Sequence, residues 1–159
     1  MLSEAINSHL AVRGYSDQQL ADLTDEEFFA QPAAGMNHVA WNLGHLAFYL
    51  DKPAGMLGAA VELGDWADRF AQGSTPTPGP AGYPSREEIC TAFTSASDRC
   101  IAAIKAAPDD VLTAANTVAM KDALPTMADL MNFLLVGHCA LHFGQVSAVR
   151  RALGRPPLF

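Results

Sequence analysis

An all-α fold, specifically a four-helix bundle, is predicted by three observations. No segment carries a long period-two alternation of β-branched residues, four stretches place apolar residues at helical spacing, and polar caps, prolines and glycines punctuate them. The 159 residues fit a single domain over 1–159, long enough to bury a core without staples. Periodicity does not dictate the order in which the helices connect.

The first helix is expected over residues 3–22, on the stripe Ile6, Leu10, Val12, Tyr15 and Leu20, with Gly14 as a weak point. Thr24 then reads as a fresh N-cap followed by Asp25, Glu26 and Glu27, acids that suit the positive end of a short helix. Gln31 to Gly35 breaks the chain. A second long helix should start at Asn37 as N-cap, run through HVAWNLGHLAFYL, and end or kink at Pro53. Residues 54–70 read as a further turn or two of helix followed by a loop. The segment GSTPTPGPAGYPS at 73–85, with four prolines and three glycines, is a surface loop.

Ser85 with Glu88 forms a capping-box signature for the third helix, whose stripe is Ile89, Phe93, Ala96, Cys100 and Ile104 and which stops before Pro108. Residues 108–125 look irregular. Thr126 with Asp129 gives a second cap of the same kind, and the last helix runs to Gly154. Its inward stripe is Met131, Leu134, His138, His142, Gln145 and Val149, with Arg150 and Arg151 at the negative end of its dipole.

A histidine in an apolar stripe is a costly choice, because a buried ring has two polar nitrogens that need partners. His138 and His142 are four residues apart and lie one above the other on a helix face. His45 belongs to the inward face of a different helix, between Trp41 and Phe48. Three inward imidazoles from two helices make a ligand set for one divalent metal ion, with coordination positions left open. The competing reading is of core histidines satisfied by backbone carbonyls.

His38 lies on roughly the same face as His45 but about 10 Å along the helix, so it reads as a neighbour of the site before a ligand. His9 has no partner pattern, and Cys139 points about 100° away from His138. Gln145 is open to two readings, a cross-bundle hydrogen bond or a bond to a ligand's second nitrogen. Trp41, Phe48 and Tyr49 read as core and pocket wall, with the Tyr49 hydroxyl a candidate donor to whatever the site binds. Asp51 and Asp129 read as exposed or capping. Gly44 lowers helix propensity and signals close approach of a neighbouring element beside the site.

The net charge of −7 comes without a basic stripe, which argues against nucleic acid as a partner. No apolar run approaches membrane-spanning length. The start, MLSEAINSHL, has Glu4 and no basic region before an apolar core, so a signal peptide is not expected and a cytoplasmic location is. Cys90, Cys100 and Cys139 form no C-x-x-C pair and read as buried thiols.

The elements WNLGHLAF at 41–48 and GHCALHFGQVSAVRRALGRP at 137–156, with its H-x-x-x-H-x-G-Q pattern, resemble the DinB/YfiT-like superfamily of metalloenzymes. LADLTDEEFFAQPAAGMNHVAWNLGHL and the DWADRF stretch at 65–70 extend the similarity over essentially the whole chain, with a departure at His38, where small or hydroxyl residues are usual. The resemblance implies a four-helix bundle with a long crossover between its second and third helices. It also implies His45, His138 and His142 as ligands to nickel, zinc, manganese or iron, and a homodimer. Related enzymes include transferases and isomerases that use low-molecular-weight thiols such as bacillithiol, mycothiol or glutathione.

The leading expectation is therefore a metal-dependent enzyme for a small-molecule substrate. In it a metal-bound thiolate attacks an electrophile held by Trp41, Phe48 and Tyr49. No carboxylate stands out as a general base, which favours a thiol transferase over a hydrolase. A metal- or ligand-binding protein without catalysis is the alternative of a different class. The loop at 73–85 and the segment at 108–125 are candidates for the pocket mouth. Arg150 and Arg151 read either as attracting an anionic thiol or as forming ion pairs at a dimer surface.

Overall fold

In the computed structural model, which describes residues 2–158, every regular element is helical and no strand occurs among the described residues. The elements are α1 (Ser3–Leu20), α2 (Asp25–Phe28), α3 (Val39–Met56), a 3-10 turn at Gly64–Trp66 that leads into α4 (Ala67–Phe70), α5 (Arg86–Ala106), α6 (Asp109–Thr113), α7 (Met127–Asn132) and α8 (Cys139–Ala152). A π-helical turn, Phe133–His138, joins α7 to α8, so 127–152 is one continuous helix. This helix, α1, α3 and α5 form the four-helix bundle. The segment between α3 and α5 is the long crossover. No helix among the described residues is long and apolar enough to cross a membrane.

Local signals explain most boundaries. Thr24, Ser85 and Thr126 each accept a backbone N–H from the residue three positions on, while Glu27, Glu88 and Asp129 reach back to the cap backbone. The start of α3 differs by one residue from expectation. His38, not Asn37, is the cap, its Nδ1 accepting the Trp41 N–H at 2.9 Å. Asn37 instead donates from Nδ2 to Gln145 Oε1 at 3.1 Å. Pro53 neither ends nor visibly interrupts α3, which continues to Met56. Proline removes one donor near the helix end, and the buried contacts of Pro53 and Ala54 outweigh that loss. Residues 108–125 contain the short α6, and the Thr126 end is tied back by a bridge to Ala115.

The inward face of α1 is more polar than its apolar stripe suggests. Leu10 is exposed, whereas His9, Ser16 and Gln19 are buried. His9 donates from Nδ1 to the Leu135 carbonyl at 2.8 Å, and its Nε2 accepts the Ser97 hydroxyl at 2.6 Å. One side chain thus ties α1 to both α5 and the π-turn, with both ring nitrogens satisfied. Gln145, expected inward, is exposed, yet it makes the cross-bundle hydrogen bond of its first reading by accepting from Asn37. Arg150, expected at a dimer surface or beside an anionic cofactor, is buried and donates to the Gln19 carbonyl and the Asp22 carboxylate. Arg155 pairs with Glu27 at 2.6 Å, so the chain's C-terminal arginines fasten α8 to the α1–α2 corner.

Asp51, expected exposed or capping, is also buried. Its carboxylate accepts Arg99 at 2.6 Å and the backbone N–H groups of Glu62 and Leu63 at 2.9 Å each, which starts the crossover on a defined path. Further along, Gly79 donates to the Phe29 carbonyl at 3.1 Å, Gln31 to the Pro76 carbonyl at 3.1 Å, and Thr77 to the Tyr83 hydroxyl at 3.0 Å. The proline-rich loop is therefore held by its own backbone. Where the crossover meets α3, Gly44 lies so close to Phe70 that a Cβ would overlap the ring. Gly44→Ala should cost about 1–3 kcal/mol of stability by overpacking; urea unfolding of the two proteins checks this, and an unchanged midpoint would show that α4 moves freely.

Candidate metal centre

The three histidines selected by spacing meet in space. One ligand atom from each of His45, His138 and His142 lies within 4.8 Å of the others, and the Nε2 atoms of His45 and His138 are 3.2 Å apart. Separation along the chain hides this proximity, since His45 and His138 are 93 residues apart.

Hydrogen bonds decide which nitrogen of each ring faces the cluster. His45 Nδ1 donates to the Phe70 carbonyl at 2.6 Å, leaving the Nε2 lone pair directed at the cluster. His142 Nδ1 lies 2.8 Å from Asn42 Oδ1. The Asn42 amide cannot be turned round, because its Nδ2 donates to the carbonyls of Asn37 and His38, each at 3.1 Å. Its oxygen must then accept from His142 Nδ1–H, which frees Nε2 as the ligand atom. Trp41 stacks on the His45 ring with centroids 4.6 Å apart and is itself held by Nε1 donating to Ser74 Oγ at 2.9 Å. Tyr49 covers His45 from another side, centroids 4.5 Å apart.

His138 closes the π-turn. In this wide turn the Leu134 carbonyl accepts the Cys139 thiol at 3.3 Å, and the Leu135 carbonyl accepts His9. Such turns are rare and concentrate at functional sites, because the extra residue re-aims the side chains around it. Gly137 sits against Phe133, where a Cβ would come to 3.0 Å from the ring.

Burial keeps the cluster uncharged. It pushes His138 down to about 4, aided by the neighbouring His45, and His142 down to about 3, aided by His45 and His138. His45 is lowered by burial, an effect that the Phe70 carbonyl partly opposes. Neutral imidazoles are the ligand form, so the donor set fits a divalent cation without prior proton loss at neutral pH. Cys139 and Cys100 are pushed up to about 12 by burial and offer no thiolate. His38, fully buried, caps α3 through Nδ1 and meets Tyr83 edge to face, centroids 4.8 Å apart, while its Nε2 makes no hydrogen bond among the described residues.

The cluster opens on a cavity of about 600 Å³, within the range of small-molecule sites. Trp41 and Tyr49 line it, but Phe48 does not; that ring is buried behind Tyr49. Both suspected mouth segments contribute, through Gly73 and Ser74 and through Val118 to Met120. The second of these is shaped by Asn116, a residue that sequence reasoning missed. Its Nδ2 donates to the carbonyls of Ala119 at 2.7 Å and Leu124 at 2.8 Å, while its Oδ1 accepts the Val118 N–H at 2.9 Å. An asparagine in a low-regularity segment was the available signal.

A helical bundle that brings three neutral imidazoles together beside a cavity, two of them buried and His138 half-buried, has the donor set that a single divalent metal ion takes. The family model described as the DinB superfamily matches residues 10–146, and the chain belongs to that superfamily. No curated protein matches the chain.

The five histidines, all lowered from 6.5 by burial, make the metal-free protein acid-sensitive. Below 6.5 the unfolded chain takes up protons that the folded chain refuses, down to about 4 at His38 and His138 and about 3 at His142. Stability should therefore be full above 6.5 and fall as pH drops, by up to about 1.4 kcal/mol per pH unit for each histidine. Loss of the Glu27–Arg155 contribution belongs to a lower window, because Glu27 is held at about 2 by the Arg155 guanidinium. Denaturant titrations of chelated protein between pH 7.5 and 5 test this; a flat profile contradicts it.

Proposed function

We propose that the protein is a metal-dependent enzyme in which His45, His138 and His142 hold one divalent ion, and that it transfers a group to a low-molecular-weight thiol. The observation that carries the reading is the cluster itself, three neutral ligand nitrogens within 4.8 Å at the wall of a substrate-sized cavity. Imidazole donors suit zinc, nickel and iron, with manganese a further candidate. A dication bound there supplies Lewis-acid chemistry, lowering the pKa of a thiol or water that reaches it.

The remaining work falls to the chain. Phe70 and Asn42 hold two of the rings in the ligating tautomer. Trp41 and Tyr49 wall the cavity beside them and restrict water. In the transfer, the thiol sulfur forms a new bond to the electrophilic carbon and the leaving group departs with its bonding pair. The thiol proton passes to solvent, since among the described residues no carboxylate lines the cavity to receive it. The same lack of a carboxylate base disfavours hydrolysis, the second reading. The cavity's volume argues against a metal-binding role without a substrate.

Protein purified without an affinity tag should contain one ion per chain by elemental analysis, lost in His45→Ala and in His142→Ala. Asn42→Ala should keep the ligands but weaken metal affinity about 10–100-fold, measured by competition with a chelating dye. Unchanged stoichiometry in the histidine variants would remove the site. For the chemistry, bacillithiol, mycothiol and glutathione are each incubated with a panel of alkylating electrophiles. Metal-dependent loss of one thiol is expected, and no such loss under any pairing would sink the transferase reading.

A further inference from the structure

His45, Tyr49 and Lys52 succeed one another at four- and three-residue spacing along α3 and all line the cavity. Among the described residues lining it, Lys52 is the only one that carries a formal charge at neutral pH. That is unexpected in a chain with 17 acids against 10 bases. Asp51, next to it in sequence, is withdrawn into the core with Arg99. Lys52 makes no ion pair among the described residues; its Nζ rests 5.6 Å from the centre of the Phe48 ring.

Between the cluster and the mouth, the polar side chains of Trp41, Ser74 and Tyr49 leave one donor over. Trp41 Nε1 is spent on Ser74 Oγ, and the Ser74 hydroxyl on the Arg69 carbonyl. The Tyr49 oxygen accepts the Gln72 backbone N–H at 3.3 Å, which leaves its own O–H able to donate. The wall thus offers a hydroxyl donor and an ammonium one helical turn apart, and both require an acceptor. Around this polar pair the mouth is apolar, with Met56 one turn beyond Lys52 on α3 and Val118 and Met120 from the 108–125 segment. Met56, Val118 and Met120, at 41%, 50% and 55% exposure, are among the most exposed large apolar side chains and line this one cavity. Scattered exposed apolar residues are ordinary, but a group around a cavity marks a ligand surface.

We propose that the cavity takes a small organic carboxylate, with its carboxylate held by Lys52 Nζ and the Tyr49 hydroxyl and its apolar body on Met56, Val118 and Met120. This rests on the enzyme reading for its purpose, since Tyr49, which packs on His45, places the carboxylate end beside the histidine cluster and the apolar body toward the mouth. Its geometry uses residues outside the cluster.

The test is calorimetric binding of 4-phenylbutyrate and its neutral amide, 4-phenylbutyramide, to the metal-loaded protein and again after chelation. The acid is expected to bind about fivefold more tightly than the amide at low salt in both forms, with the preference shrinking as salt rises. Lys52→Met should abolish the preference, Lys52→Arg should retain it, and Tyr49→Phe should reduce it. Equal affinities, no binding of either probe, or a preference that survives Lys52→Met or vanishes on chelation would overturn the proposal. Elemental analysis of the same samples scores the metal separately: protein that never holds an ion but still prefers the acid would defeat the enzyme reading alone.

Discussion

The need to bury imidazole rings without charging them governs the arrangement of this bundle. A neutral imidazole has one donor and one acceptor nitrogen, and leaving either without a partner in a core that excludes water is costly. At His9 both are bonded, which makes the ring a cross-tie between α1, α5 and the π-turn. At His45 and His142 one nitrogen is anchored on a fixed acceptor, and the other is left for the cluster. The same chemistry therefore yields a structural ring in one place and a ring with a free nitrogen at the cluster in another. The difference is whether a second protein partner, such as Ser97 for His9, stands within reach.

The surrounding elements follow from that need. Phe70 can offer its carbonyl to His45 only because α4 approaches α3 at Gly44, where no side chain keeps the two apart. The crossover that carries α4 is in turn started by buried Asp51 and stitched to the α2–α3 connection through Phe29 and Gln31. Asn42 can direct His142 only because its amide protons are occupied by the start of α3. What looks like a long irregular loop is part of the support for one histidine of the cluster, and a helix cap is part of the support for another.

The cavity beside the cluster has its own division of labour. Asn116 holds the backbone that presents Val118 and Met120, and α3 presents Tyr49 and Lys52 from the facing wall. With Asp51 withdrawn into the core, Lys52 is the charged side chain on this wall among the described residues.

By itself, the sequence determined the helices, their capping boxes and the three histidines, because these depend on neighbours three or four residues away. Thr24, Ser85 and Thr126 cap the helices as their local patterns predict, and Gly44 marked a close approach without naming its partner. The tertiary structure alone decided that His38 caps α3, that Gln145 lies outside, that Phe48 is behind the wall and that Arg150 is an internal tie. It also decided which nitrogen of His45 and His142 faces the cluster. The acceptors that settle it, Phe70 and Asn42, lie 25 and 100 residues away, beyond the reach of any local pattern.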